Sequence, residues 1–164
     1  MSSSLLQSLI LKKNNLPVWF MRQAGRYLPG YQIIRKKNKN FTNFCLNIKD
    51  ATKVSLQPIE KYNLDAAIVF SDILLILRAA GQNIDFKENV GPILGNYNPE
   101  VFYNLSNKNF IKNLKNVYKI IKSIKRKLPK EKSLIGFAGA PWTLLVYMIN
   151  KSSPRKNKKI FSKS

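Results

Sequence analysis

Asp65-Ala66-Ala67-Ile68-Val69-Phe70 is a near-continuous apolar run behind a single opening acid. Such a run fits a β-strand covered on both faces, as strands of parallel sheets are. Leu134-Ile135-Gly136-Phe137 gives the same signal a second time. Between them Phe110, Ile111, Leu114, Val117, Tyr118, Ile121 and Leu128 recur at helical spacing, with lysines on the opposite face and Pro129 as the stop. Strands joined by helix-length crossovers pair in parallel, so the chain reads as α/β.

Outward from that frame, Pro17 opens an apolar run predicted as a short strand over 18–21. Asp50 is predicted to cap a helix reaching about residue 62, which Pro58 kinks or shortens. Residues 84–86, followed by Gly91-Pro92, suggest a small extended excursion with a turn. Residues 142–149 read as a further helix, with Trp142 assigned to the core. The opening residues 1–13 carry their lysines after the apolar part, the wrong order for a secretory signal, and read as a short amphipathic helix. No run reaches the length needed to cross a bilayer. The single Cys45 forms no internal disulfide, which fits a reducing, cytoplasmic setting.

The 164 residues are one domain's worth of chain, and 45% hydrophobic residues with 18 aromatics suffice for a core. The net charge of +21 raises the possibility of a basic polyanion-binding protein. Its distribution argues against a specific nucleic-acid partner. Residues 17–100 hold eleven basic and seven acidic side chains, whereas 104–132 hold ten basic groups against Glu131, and 151–164 hold six with no acid. Lysines outnumber arginines 23 to 6 beside 18 asparagines. Nucleic-acid readers favour arginines with interleaved aromatics.

Ligands of α/β proteins bind beyond the carboxyl ends of the strands. Three strand ends carry chemistry here. The first leads into Met21-Arg22-Gln23-Ala24-Gly25-Arg26-Tyr27-Leu28-Pro29, two guanidinium forks around a flexible glycine, suited to a substrate rich in carboxylates. Solvated loop arginines are the plain alternative. The second leads into Ser71-Asp72, an acid wedged in apolar chain, which reads either as a helix cap for residues 73–80 or as a fixed anion facing a ligand. The third leads through Gly136-Phe137-Ala138-Gly139-Ala140-Pro141 to Thr143 and Tyr147, where Tyr147 is otherwise a partly buried aromatic. Asp65, which opens its strand, reads as a structural cap.

Residues 17–29 (PVWFMRQAGRYLP), Leu56-Gln57-Pro58, residues 65–74 (DAAIVFSDIL) and residues 136–148 (GFAGAPWTLLVYM) closely resemble the uroporphyrinogen decarboxylase family. The blocks are long and stand in the family's order, from about residue 16 to 149, but match only the amino-terminal half of the family's chain. The resemblance implies a (β/α)8 barrel, here its amino-terminal half over residues 1–150, with 151–164 as a basic tail lacking fixed structure. It implies removal of carbon dioxide from the four acetates of uroporphyrinogen III to give coproporphyrinogen III, in porphyrin and haem biosynthesis. It implies no metal or organic cofactor and a homodimer, while the apolar-run lengths and the charge distribution speak for no membrane and no specific nucleic-acid partner.

By the same resemblance Asp72, Arg22 and Tyr147 are catalytic, and Arg22, Gln23, Ala24, Gly25, Arg26, Asp72 and Tyr147 bind substrate. The aspartate accepts pyrrole N–H groups and steadies the cation formed on ring protonation, the arginines hold substrate carboxylates, and the tyrosine supports the aspartate. A many-carboxylate substrate with a cationic intermediate calls for those charges. Departures from the family pattern are Gly30, Ile76-Leu77-Arg78 and Asn150-Lys151, and the chain has no histidine. Two expectations follow: a truncated product, inactive alone, or activity once a second polypeptide supplies the rest. Zinc methyltransferases of the same barrel superfamily need His and Cys ligands, of which this half offers only Cys45 and no histidine, and the arginine block fits them poorly.

Overall fold

The computed structural model describes residues 3–11, 16–21, 27–87 and 90–153. Their element order is α1 (Ser4–Leu11), α2 (Pro29–Lys37), α3 (Phe41–Leu46), α4 (Ile48–Tyr62), β1 (Ala66–Ile68), α5 (Leu75–Ala79), β2 (Ile84–Lys87), β3 (Gly91–Leu94), α6 (Pro99–Tyr103), α7 (Asn107–Asn113), α8 (Lys115–Lys127), β4 (Ser133–Ile135) and α9 (Pro141–Asn150). The chain divides into two compact units, residues 1–71 with 116–137 and residues 72–115 with 138–164.

The first unit is built on a parallel pair. Ala66, Ala67 and Ile68 of β1 lie opposite Ser133, Leu134 and Ile135 of β4, and Val69 N–H continues the ladder to the Ile135 carbonyl at 3.0 Å. Helices cover it: Ile120 and Ile124 of α8, Leu128 just after it, and Ala51, Leu56 and Ile59 of α4 bury against Ala67 and Val69. Helical spacing of apolar residues on α4 and α8, with lysines outward, produces those faces. Ser55, buried on α4, donates to the Ala51 carbonyl and accepts the Phe70 N–H, both at 2.8 Å. It thereby ends the ladder without leaving a buried amide unpaired.

Five readings of the sequence need correction. Residues 18–21 form no strand. Their tie to the sheet is Asp65, whose N–H donates to the Val18 carbonyl and whose carboxylate accepts the Val18 N–H, while Val18, Phe20 and Met21 are exposed. The cap of α4 is Asn47, whose side chain accepts from Asp50 N–H at 3.0 Å; Asp50 sits in the first turn, where its charge suits the helix dipole. Pro58 is buried inside α4 and does not shorten it, since the helix runs to Tyr62. The long lysine-faced helix is two helices, α7 and α8, separated at Leu114. Strand 134–137 is instead 133–135 and only half-buried, with Phe137 exposed, because among the described residues β4 has β1 as its single neighbour.

Asp65 is the structural cap its position suggests. Its carboxylate also accepts from the Ser4 hydroxyl at 2.8 Å, and its carbonyl from Ser133 N–H at 2.9 Å. The Val18 N–H, then the Ser4 hydroxyl, hold its pKa below the ordinary carboxylate value, with partial burial opposing. A depressed folded-state pKa contributes stability above the unfolded value that is lost as pH falls through the folded one. Asp65→Asn is therefore expected to lower the urea midpoint at neutral pH, and the gap from the parent should close on acidification below about pH 4. A gap independent of pH would remove the charge from this account.

The second unit centres on the antiparallel β2–β3 hairpin, in which Ile84 lies opposite Leu94 and Phe86 opposite Pro92. Gly91 takes φ +92°, a left-handed conformation that suits glycine. Leu74, Leu77, Ile84 and Leu94 form its core. Lys151 and Ser152 tie back to β3, through Leu94 N–H to the Lys151 carbonyl and an antiparallel bridge from Ile93 to Ser152. Residues 154–164 of the basic tail lie outside the described residues. No helix of the described residues is long and apolar enough to cross a membrane.

Candidate functional site

Arg22, Gln23, Ala24, Gly25 and Arg26 lie outside the described residues, so the site is built from the other two strand ends. α2 starts with Pro29 in its first turn, where a lost N–H costs nothing. The amide of Gln57 occupies the space a side chain at Gly30 would need, its Nε2 only 2.7 Å from a Cβ built there. Leu28, Tyr31 and Ile34 pack with Phe44 and Val54, fixing the start of α2 within the first unit. Gln57 of the family-like Leu56-Gln57-Pro58 block thus fills the space over Gly30, a position where the sequence departs from the family pattern.

Asp72 and Tyr147 both belong to the second unit. Asp72 Oδ1 accepts the Leu74 N–H at 2.8 Å, and its carbonyl accepts Leu75 N–H at 3.2 Å, so the residue shapes the turn before α5. This is an aspartate side chain closing onto its own backbone two residues on. The helix that follows spans Leu75–Ala79, shorter than the predicted 73–80. Burial of the carboxyl raises its pKa above the ordinary value, and the Leu74 hydrogen bond offsets this only in part. A carboxylate whose ionisation is opposed by its surroundings is stronger bait for an incoming cation or N–H donor than a solvated one.

Tyr147 lies half-buried on α9 against the Leu74–Leu77–Ile84–Leu94 cluster, beside Leu144 and Met148. Ile73, the neighbour of Asp72, packs on the same cluster. The close fit is set by Gly139, a residue not singled out by the sequence reading beyond its small-residue turn. A Cβ there would stand 2.6 Å from Leu144 Cδ2 and 3.3 Å from Ile73 Cβ. Glycine lets the turn ahead of α9 press on the segment carrying Asp72. Pro141 begins α9, and Ala140 at its cap position offers no side-chain acceptor. Trp142 is not in the core: it is 67% exposed, a correction to the sequence reading.

Among the described residues no group of three or more His, Cys, Asp or Glu side chains could hold a metal ion. Cys45 is buried and in no disulfide.

Comparison with known proteins gives one consistent result. The family model described as uroporphyrinogen decarboxylase (URO-D) matches residues 12–163. The uroporphyrinogen decarboxylase of Rickettsia felis is 50% identical over 145 residues, 88% of this chain and 42% of that protein. That of Rickettsia canadensis is 51% identical over 145 residues, 88% and 43% respectively. That of Rickettsia bellii is 48% identical over 136 residues, 83% and 40%. This chain spans about two fifths of the length of these relatives. A match over nearly all of the chain at half identity leaves one assignment: the chain belongs to the uroporphyrinogen decarboxylase family.

Proposed function

We propose that this chain supplies the Asp72 half of a uroporphyrinogen decarboxylase site: the amino-terminal part, over residues 1–150, of a (β/α)8 barrel followed by a basic tail. The α/β build with a parallel β1–β4 pair and helical crossovers is what such a part requires. The assembled enzyme acts in the cytoplasm as a homodimer, without metal or organic cofactor.

The observation that carries the reading is the half-buried carboxyl of Asp72, opposed by burial and tethered to Leu74 N–H, in a chain of this family. Its free oxygen valences accept pyrrole N–H groups. When a ring carbon bearing an acetate arm is protonated, the macrocycle becomes cationic and Asp72 offsets that charge. The carbon–carbon bond to the carboxylate then breaks, its electrons neutralise the ring, and carbon dioxide leaves. A second proton on the exposed carbon, matched by loss of one proton from the ring, leaves a methyl group. Each acetate thus consumes one net proton and releases one carbon dioxide. Arg22 and Arg26 hold the substrate's carboxylates in bidentate fashion. Arg22 is a reluctant acid and donates only toward a carbon as basic as the one left after decarboxylation. Tyr147 supports the aspartate.

The test is anaerobic conversion of uroporphyrinogen III to coproporphyrinogen III, followed as the oxidised porphyrins, by this chain completed with the later portion of the Rickettsia felis relative. Arg22→Ala should weaken substrate binding about 10- to 150-fold, the loss of one charge-assisted contact of about 1.5–3 kcal/mol. Undiminished affinity in that variant, with salt-dependent retention on polyanions, would favour a basic polyanion-binding protein.

A further inference from the structure

Every residue of α9 between Pro141 and Ile149 except Thr143 and the phenol of Tyr147 is apolar. One side of the helix is used, with Leu144, Tyr147 and Met148 packed on the core of the second unit. The other is bare. Trp142, Leu145 and Ile149, at positions i, i+3 and i+7, form one stripe and are 67%, 43% and 59% exposed. Residues three, four and seven apart share a helix face, so the stripe is continuous, and a helix apolar all round belongs in an interior. Separately, in the first unit, β4 is hydrogen-bonded to β1 alone among the described residues, which leaves it one edge to pair.

We propose that the Trp142–Leu145–Ile149 stripe is the docking face for the carboxyl-terminal portion of the family's barrel, and that this portion binds even when supplied as a separate polypeptide. The inference rests on the reading of this chain as the amino-terminal part of that barrel. The length relation names the occupant: the match covers 42% of the Rickettsia felis relative, and 58% of that protein lies outside it. Barrel helices lie side by side around a closed sheet, so the next helix in order is the neighbour that would cover this face of α9. The occupant brings an apolar helix face to the stripe.

The experiment expresses the unmatched later portion of the Rickettsia felis relative alone and mixes it with this full chain. Trp19→Phe leaves Trp142 as the single tryptophan reporter. The expected result is a one-to-one heteromer by light scattering, with Trp142 emission shifted to the blue as water leaves the indole. Leu145→Asp places a charge in the covered stripe and should weaken association at least tenfold. Because Leu145 is exposed in the free chain, circular dichroism of the variant should match the parent. No heteromer, a heteromer indifferent to Leu145→Asp, or a self-dimer of this chain that Leu145→Asp dissolves would each overturn the proposal. A Leu145-sensitive heteromer that releases no coproporphyrinogen would uphold the docking face while removing the catalytic reading.

Discussion

Asp72→Asn should raise the melting temperature of the chain at neutral pH and, in the completed enzyme, lower the rate of decarboxylation about a thousandfold. The two effects have one cause. Burial raises the folded-state pKa of Asp72, so its ionised form opposes folding. A raised pKa leaves the aspartate's contribution to stability intact below the unfolded value of 3.8 and erodes it as pH climbs through the folded one. Asparagine carries no charge to desolvate, and its Oδ1 still accepts the Leu74 N–H that shapes the turn. The stabilising effect of the substitution should therefore vanish in acid and grow as pH rises to neutrality.

The rate effect follows from the charge alone. At an effective dielectric near 20, a unit anion about 4 Å from a developing cation is worth about 4 kcal/mol. That is about three powers of ten in rate. Thermal melts between pH 3 and 7 and the anaerobic porphyrin assay measure the two sides. A variant within a few-fold of parental activity would reduce Asp72 to a turn residue, because the turn itself survives the change. A lower melting temperature at neutral pH would show that the carboxylate has a favourable partner in the fold.

The sequence made some of this legible and obscured the rest for identifiable reasons. β1 announces itself because a strand covered on both faces has no polar alternation to confuse it. α8 does so because lysines fill one face, and Asp65 because an acid at a strand mouth needs donors, which Val18 and Ser4 provide. The cap of α4 was displaced by three residues because Asn47 and Asp50 both qualify by residue type, and only hydrogen-bond geometry separates them.

The break between α7 and α8 leaves no proline or glycine as a marker. Asn113 and Asn116 flank it, the first donating to the Ala79 carbonyl and the second to the Leu46 carbonyl. Such long-range side-chain ties leave no periodic signature. Trp142 misled for the opposite reason: an apolar helix reads as core all round, whereas only the Leu144, Tyr147 and Met148 side of α9 packs on the second unit's cluster. At the site, the dual character of Asp72 was readable from a lone acid in apolar sequence. The role of Gly139 was not, since a close approach between segments 66 residues apart (139 − 73 = 66) has no local signal.

The short helices α2 and α3 escaped the sequence reading, yet they hold the residue whose truncation should cost the fold most. Phe44 is fully buried. Its ring centroid lies 4.6 Å from that of Phe70 and 5.8 Å from that of Tyr31, with Tyr31 and Phe70 themselves 5.9 Å apart. Tilted pairs at these separations add to the value of the buried area. The cluster joins α2 to Phe70, beyond the end of β1, and so fixes α2 within the first unit. Phe44→Ala removes a whole ring from a close-packed interior and should cost about 3–5 kcal/mol. That is a large share of the roughly 5–15 kcal/mol by which a domain is stable.

Phe44→Leu keeps much of the volume and should cost markedly less, about 1.5 kcal/mol or a little more. Urea titrations read as midpoints at constant slope compare the two. Equal losses for Ala and Leu would mean that aromatic geometry, and not filled volume, holds α2 in place. A loss under about 1 kcal/mol for Ala would mean that α2 and α3 unfold apart from the β1–β4 core.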